Sequence, residues 1–375
     1  MKYYIITGES SGDIHAANLV KYLMKQDTSA IVRGWGGKAL KSLGVQVVKE
    51  LNELNFMGLI EVLKHIKQIR NNFKFAYSDI KSFNPDVLIL VDFPGFNLKI
   101  AKWAKINGYK VFYYISPTIW AWHKSRIKII KHYVDKMFVI LPFEKDFYQN
   151  NGVVVEYHGH PILDSLQVYL EKQVDYDEFC YENNLPQKPL IAILPGSREQ
   201  EIKRLLPIMT AVSVFFDDFH FVIAGISEFN KSIYEKFCSN NVSVLYDKTY
   251  DLLKHSYAAI VKSGTSTLET AIFKVPQVVC YKLNNITYLI ARLLVRNVKY
   301  ISLVNLLLNK ECVKELIQNN LTVDNLKNEL NLILNTNKRK EIIADYENLI
   351  NLLGNKGASE RIAKRMISIL NNFEK

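Results

Sequence analysis

Val87-Leu88-Ile89-Leu90-Val91 is five apolar residues in a row, with none of the polar alternation of a strand that keeps one face in water. A run this short is no helix, and it needs cover on both faces. Parallel sheets flanked by helices provide that cover. Tyr3–Thr7, Val111–Ile115, Lys136–Leu141 and Val153–Tyr157 read the same way, with weaker strands near Ala30–Arg33 and Val45–Val48. Between them lie amphipathic stretches, beginning with a turn at Gly8–Asp13 and a helix over Ile14–Lys25. A polar, acidic segment from Leu163 to Pro189 reads as a connection, after which the pattern restarts. Leu190–Leu194, Phe219–Ala224, Ser243–Tyr246, Ala258–Val261 and Gln277–Tyr281 are its strands, and the chain turns helical from Thr322.

At roughly 150 residues per domain, 375 residues accommodate two. The pattern predicts an α/β chain of two Rossmann-like domains, with parallel sheets facing across a cleft. The expected domains are 1–163 and 164–351, with a C-terminal helix over about 352–375 packing back on the first.

A composition of 49% hydrophobic and 23% charged residues excludes a disordered chain. There are 48 Lys and Arg against 37 Asp and Glu, a net charge of +11, which favours an anionic partner. Cys180, Cys238, Cys280 and Cys312 lie far apart with no CxxC spacing, which argues against a zinc site or disulfide framework and fits a reducing, cytoplasmic setting. The apolar run before Gly8 is too short for a secretory signal. The longest apolar stretch, Tyr288 to Leu308, is interrupted by Arg292, Arg296 and Lys299, so no span is expected to cross a membrane.

Several motifs sit where the strands end. Gly8-Glu9-Ser10-Ser11-Gly12-Asp13 follows the first strand. It is neither GxGxxG nor a P-loop, and Glu9 and Asp13 suit sugar hydroxyls better than phosphate. Helix capping by Ser10 or Ser11 is the plainer alternative. Asp92, in Val91-Asp92-Phe93-Pro94-Gly95-Phe96-Asn97, ends a buried strand, where open α/β sheets bind ligands. Desolvation there raises a carboxyl pKa toward what a general base requires. The competing reading is a turn-forming Asp before Pro-Gly.

Ser116-Pro117-Thr118-Ile119-Trp120-Ala121-Trp122-His123 offers two tryptophans, Trp120 and Trp122, as a sugar-stacking wall or as a packed corner. In Tyr157-His158-Gly159-His160-Pro161 the histidines are two apart and point to opposite strand faces, which is poor metal geometry. Hydrogen bonding or substrate contact by His160 is expected instead.

In the second half, Leu194-Pro195-Gly196-Ser197-Arg198-Glu199-Gln200-Glu201 offers Arg198 as a cation for bidentate phosphate pairing, with a surface Arg–Glu pair as the alternative. Lys262-Ser263-Gly264-Thr265-Ser266-Thr267-Leu268-Glu269 follows a strand and opens a helix. Its hydroxyls and free N–H groups make an anion cradle, and Glu269 is placed to hold ribose hydroxyls. An N-cap explains one hydroxyl well and four badly. Phe56 to Arg70 has the apolar spacing of an amphipathic helix, with Lys64, Lys67 and Arg70 interleaved. It is competent to lie on an anionic bilayer, or to be a core helix with a basic edge.

In this order, the motifs resemble the lipid-A-disaccharide synthase family of GT-B glycosyltransferases. The resemblance is carried by Gly8–Asp13, Phe56-Met57-Gly58, Asp92–Asn97, Ser116–Trp122, Leu141-Pro142-Phe143-Glu144, Gly159-His160-Pro161, Leu194–Arg198, Ser263–Glu269 and Ser302–Leu306. It runs from residue 5 to about 320, and Val304 stands where the family has Pro.

The resemblance implies transfer of 2,3-diacylglucosamine from its UDP donor to 2,3-diacylglucosamine 1-phosphate. UDP is released and a β-1,6-linked disaccharide 1-phosphate forms, with inversion and without a dissociable metal or other cofactor. It implies work at the inner face of the cytoplasmic membrane, on an anionic surface, and homodimers through exchanged C-terminal regions. UDP is assigned to Arg198, Ser197, Ser263, Gly264, Thr265, Ser266, Thr267, Glu269 and Asn305. The acceptor and its acyl chains are assigned to Met57, Leu59, Ile60, Leu63, Trp120, Trp122 and His160. An inverting transfer needs a base on the face opposite UDP, which favours Asp92, with Glu9 and Asp13 as its competitors. The readings set against this one are another GT-B enzyme, such as a UDP-N-acetylglucosamine 2-epimerase or a murein glycosyltransferase, and a basic nucleic-acid-binding protein. No RNA-binding signature accompanies the basic run Lys124–Lys136, so nucleic acid is not an expected partner.

Overall fold

The computed structural model describes residues 1–54, 66–120, 125–284, 288 and 299–373. Two compact units emerge: Met1–Ser165 with Leu353–Lys375, and Leu166–Leu352.

The first unit is built on seven parallel strands, β1 (Lys2–Ile6), β2 (Ile31–Gly36), β3 (Gln46–Glu50), β4 (Val87–Val91), β5 (Val111–Tyr114), β6 (Lys136–Val139) and β7 (Val155–Tyr157). Their order is β3-β2-β1-β4-β5-β6-β7. Period-two alternation sends Tyr3, Ile5, Val87, Ile89 and Val91 into one apolar layer and Tyr4, Ile6, Leu88 and Leu90 into the other. Both faces are buried, which is why these strands are apolar throughout. Helices Ser10–Gln26 and Ala358–Phe373 cover the first face, and helices Ile66–Phe83, Pro94–Ile106 and Arg126–Tyr133 cover the second. The direction of winding therefore reverses between β1 and β4. That break is the topological switch point, where ligands of such sheets bind at the carboxyl ends of the strands.

The C-terminal helix is tied down by polar contacts as well as by its apolar face. Asp164 accepts the N–H groups of Gly357 and Ser359 at 2.6 and 2.7 Å, capping its N-terminus, and Arg365 pairs with Glu156 at 2.8 Å.

The second unit has six parallel strands, β8 (Leu190–Leu194), β9 (His220–Gly225), β10 (Val242–Tyr246), β11 (Ser256–Lys262), β12 (Gln277–Tyr281) and β13 (Glu315–Ile317), in the order β10-β9-β8-β11-β12-β13. Its switch point falls between β8 and β11. Among the described residues no helix is long and apolar enough to cross a membrane. Residues 289–298 of the Tyr288–Leu308 stretch lie outside the described residues.

Two local expectations change. The first helix begins at Ser10 rather than Ile14, so Ser10 to Asp13 are its first turn and not a separate loop. Glu9 is its N-cap and makes no side-chain cap, so neither Ser10 nor Ser11 caps it. The segment from Leu163 to Pro189 carries helices Ile162–Glu171 and Tyr176–Glu182 rather than an irregular connection.

Candidate functional site

At the first switch point the chain leaves β4 through two consecutive left-handed residues, Asp92 and Phe93, with φ of 45° and 48°. Neither is glycine, so each costs about 1 kcal/mol or more and persists only because its surroundings over-determine it. Three contacts do so. The Asp92 N–H donates to the Tyr114 carbonyl at 3.0 Å, and the Tyr113 hydroxyl donates to the Asp92 carbonyl at 2.6 Å. The buried Asn97 amide donates to Asp92 O at 2.8 Å and lies within 3.3 Å of Ile6 O and 3.2 Å of Val91 O. Pro94 then starts the next helix, where its missing N–H has no cost. Gly8 completes the frame. A Cβ there would lie 2.3 Å from the Phe93 ring, so only glycine lets that ring close over the turn after β1.

Asp92 as a residue is partly exposed, but its carboxyl is buried. Burial raises its pKa to about 7, helped by the negative charge of Glu9 and opposed by the Phe93 N–H. A carboxyl poised near neutrality on a rigid turn is chemically suited to accept a proton. Glu9, half-buried as the N-cap of the first helix, supplies the neighbouring charge.

Asp13 is placed differently from its sequence reading. It is buried, and its two oxygens accept the N–H groups of Gly37 at 2.7 Å and Ala39 at 2.9 Å. Those bonds hold the start of helix Lys38–Ser42 against the first helix, so Asp13 acts here as a cross-chain cap.

The loop after β5 begins at Ile115, also left-handed with φ 65°. Ser116 shares a hydrogen bond with Tyr148 at 2.6 Å, and Trp120 packs edge-on against Phe143 at 5.1 Å. Beneath them Glu144 is buried, accepting the Leu141 N–H at 3.0 Å in a capping box. Burial raises its pKa to about 7 against the opposing pull of the Leu141 and Ile140 N–H groups, Ser116 and Trp120. Trp120 thus forms part of a packed corner. Trp122, Met57, Leu59, Ile60 and Leu63 lie outside the described residues.

His160 is 2% exposed and its Nδ1 accepts the Ile162 N–H at 3.1 Å. Its ring lies edge-on to that of His15, 6.2 Å between centroids. Burial, and then His15, holds its pKa well below the ordinary histidine value, so it is neutral at physiological pH. Hydrogen bonding within the fold accounts for its position.

In the second unit the loops after β8 and β11 flank the switch point. Gly196 has φ 114°, and a Cβ there would sit 2.6 Å from Glu201 Oε2, so glycine lets the loop fold down over that carboxylate. Ser197 and Arg198 are exposed on it. Arg198 lies 3.5 Å from Glu201 Oε1, while Lys262 pairs with the same oxygen at 2.8 Å. Gly264 is the N-cap of helix Thr265–Ile272.

The four hydroxyls of the cradle divide. Ser263 donates to Ile301 O at 3.0 Å and Thr267 to Gly264 O at 2.7 Å, both buried, whereas Thr265 is exposed and Ser266 partly so. Glu269, one turn on, accepts the Tyr250 hydroxyl at 2.8 Å, and burial raises its pKa. Asn305 differs from its assignment. Its Oδ1 accepts from Cys312 N and Val313 N at 2.8 and 2.9 Å, and its Nδ2 donates to Val313 O and Glu315 at 2.8 and 2.9 Å. With every lone pair and proton engaged, the Asn305 amide has no capacity for a ligand and instead pins the loop from Ile301. Val304 is the second residue of helix Leu303–Leu308, a first-turn position that tolerates either Val or Pro.

Sequence reasoning passed over Tyr113 and Glu315 as site-shaping residues, because their contacts depend on which strands become neighbours. Glu201 and Lys262 stand in the motifs it singled out, Glu201 only as the partner in a surface Arg–Glu pair and Lys262 without a role of its own.

A family model described as Lipid-A-disaccharide synthetase matches residues 3–368. The chain is 35% identical over 375 residues to the lipid-A-disaccharide synthase of Syntrophus aciditrophicus, covering 98% of this chain and 97% of the relative. It is 35% identical over 366 residues to that of Coxiella burnetii, covering 96% of each. Among solved structures it is similar to the UDP-GlcNAc 2-epimerase of Neisseria meningitidis, with TM-score 0.69, 16% identity and coverage of 98% and 100%. The calicheamicin glycosyltransferase CalG4 aligns with TM-score 0.61, 13% identity and coverage of 100% and 99%. At such identities these two structures establish the GT-B fold alone.

Proposed function

We propose, from the premise that this chain belongs to the lipid-A-disaccharide synthetase family of lipid A glycosyltransferases, that Asp92 is the general base of an inverting transfer. The donor in this reading is UDP-2,3-diacylglucosamine and the acceptor 2,3-diacylglucosamine 1-phosphate. Asp92 removes the proton of the acceptor's 6-hydroxyl as that oxygen attacks the anomeric carbon. The bond to UDP breaks on the opposite face, and the pair of electrons leaves with the diphosphate.

The observation that carries the assignment is the left-handed Asp92–Phe93 turn, locked by Tyr113 and Asn97, with its carboxyl raised to about 7. A carboxyl raised toward neutrality by burial takes a proton more readily than an ordinary carboxylate. Glu9 is assigned the tuning charge and contacts to sugar hydroxyls. Asp13 is assigned the positioning of the first helix.

The donor is given to the second unit. Arg198 and Ser197 on one loop and the helix N-terminus at Gly264, Thr265 and Ser266 take the diphosphate, with Glu269 on the ribose. The family's donor and acceptor are both anionic, which accords with a net charge of +11. Lys67 and Arg70, exposed at the start of helix Ile66–Phe83, accord with docking of this part of the chain on an anionic membrane surface. A homodimer is also part of the reading, on the family's account.

Incubation with both acylated sugars tests the reaction directly. Release of UDP together with the tetraacyl disaccharide 1-phosphate is the expected result. UDP release without disaccharide, or epimerised donor, would overturn it in favour of the other GT-B chemistry.

A further inference from the structure

We propose that Lys262 is a second cation of the donor-phosphate site, held in place by Glu201, so that the diphosphate is met by two side-chain charges rather than by Arg198 alone. The inference rests on the donor assignment above and extends it to residues that assignment does not use.

Lys262 is the last residue of β11, immediately before the cradle, and its side chain is 19% exposed. A carboxylate holds its charged end: Lys262 Nζ lies 2.8 Å from Glu201 Oε1. The same ammonium lies 3.7 Å from where a Cβ on Gly264 would stand, so it sits beside the N-cap of helix Thr265–Ile272. Two like-signed features, an ammonium and the positive end of a helix, are thus held side by side. A fold left to itself separates such charges, and an anion between them relieves the repulsion.

Glu201 is shaped to do the holding. It stands in the first turn of helix Glu199–Ala211, which follows β8, the strand hydrogen-bonded to β11, and it lies under Gly196, whose missing side chain leaves it room. Its Oε1 serves both cations, Lys262 at 2.8 Å and Arg198 at 3.5 Å, while its Oε2 is buried with no partner among the described residues. A diphosphate carries at least two negative charges, so two cations beside a helix N-terminus suit it better than Arg198 alone. Glu201 is a positioning residue in this arrangement, and Lys262 a binding residue.

The test compares UDP with uridine, which keeps the base and ribose and lacks both phosphates. Lys262→Met is expected to weaken UDP binding on the order of tenfold to a hundredfold, the loss of one charge-assisted bond, while uridine binding stays unchanged. Lys262→Arg should restore UDP affinity to within a few-fold. Lys274→Met removes one charge from a surface pair with Glu347 and should change neither ligand. Raising salt should weaken UDP binding less in Lys262→Met than in the unaltered chain, because one screened contact is gone. Equal losses for UDP and uridine would make Lys262 merely structural and overturn the proposal. Undiminished UDP affinity in Lys262→Met, alongside a loss in Arg198→Ala, would overturn it and leave the donor assignment standing. Failure of the unaltered chain to bind UDP would overturn both.

Discussion

The Tyr113 hydroxyl meets the Asp92 main-chain carbonyl at 2.6 Å, so β5 holds the turn that ends β4. Burial raises the Tyr113 pKa, which keeps it protonated and donating. Tyr113→Phe removes this bond and leaves a carbonyl that Asn97 still partly satisfies. Stability should fall by about 1–2 kcal/mol. Turnover should fall several-fold with UDP affinity intact. Urea unfolding and steady-state rates measure the two, and unchanged turnover would show that the turn needs no such support.

Gly8→Ala drives a methyl group into the Phe93 ring, at a site where the Cβ would be 2.3 Å from the ring. The ring has to swing away from the turn. Overpacking of this kind costs about 1–3 kcal/mol. Thermal unfolding checks the cost, and a melting temperature equal to that of the unaltered chain would contradict the packing.

The pH dependence of activity and of stability should run in opposite directions. Asp92 and Glu144 both have carboxyl groups raised from their ordinary values to about 7 by burial. Between the unfolded and folded pKa values the native chain binds more protons than the unfolded one. Their stabilising contribution is therefore full below about pH 4, and is lost as pH rises through 7. Activity that depends on ionised Asp92 should instead rise through pH 7. Asp92→Asn should remove that acidic limb, whereas Glu144→Gln should keep it. Rate profiles from pH 5.5 to 8.5 decide between them, and a limb that vanishes only in Glu144→Gln would move the titration to the loop after β5.

The spacing of Phe56–Arg70 suits either membrane docking or a core helix with a basic edge, and most of the stretch lies outside the described residues. Replacing Leu59, Ile60 and Leu63 together by Ser should reduce sedimentation with anionic liposomes and leave UDP binding intact. Equal sedimentation would refute the docking role, and loss of the folded state would assign the stretch to the core.

The sheets were legible because their strands are buried on both faces. Val87–Val91, Leu190–Leu194 and Gln277–Tyr281 have the bounds their apolar runs suggest. The last strand, Glu315–Ile317, was missed because three residues carry no period. Asp92 was legible as a strand-end carboxylate, but not the left-handed backbone it shares with Phe93, which the contacts of Tyr113 and Asn97 sustain. Asp13 and Asn305 show the opposite limit. Each stands in a motif that suggests ligand binding, and each has its side-chain polar atoms engaged elsewhere in the chain, Asp13 by backbone N–H groups and Asn305 by backbone groups and the Glu315 carboxylate. Such pairings depend on tertiary neighbours, and a motif does not contain them.

The most direct test of the account is the turnover of Asp92→Asn, measured with both acylated sugars beside its affinity for UDP. The substitution keeps the side chain's shape and removes its basicity. Turnover should fall by about a hundredfold or more while UDP affinity persists. Near-normal turnover in Asp92→Asn, with activity abolished by Glu9→Gln, would contradict the account and give the proton to Glu9.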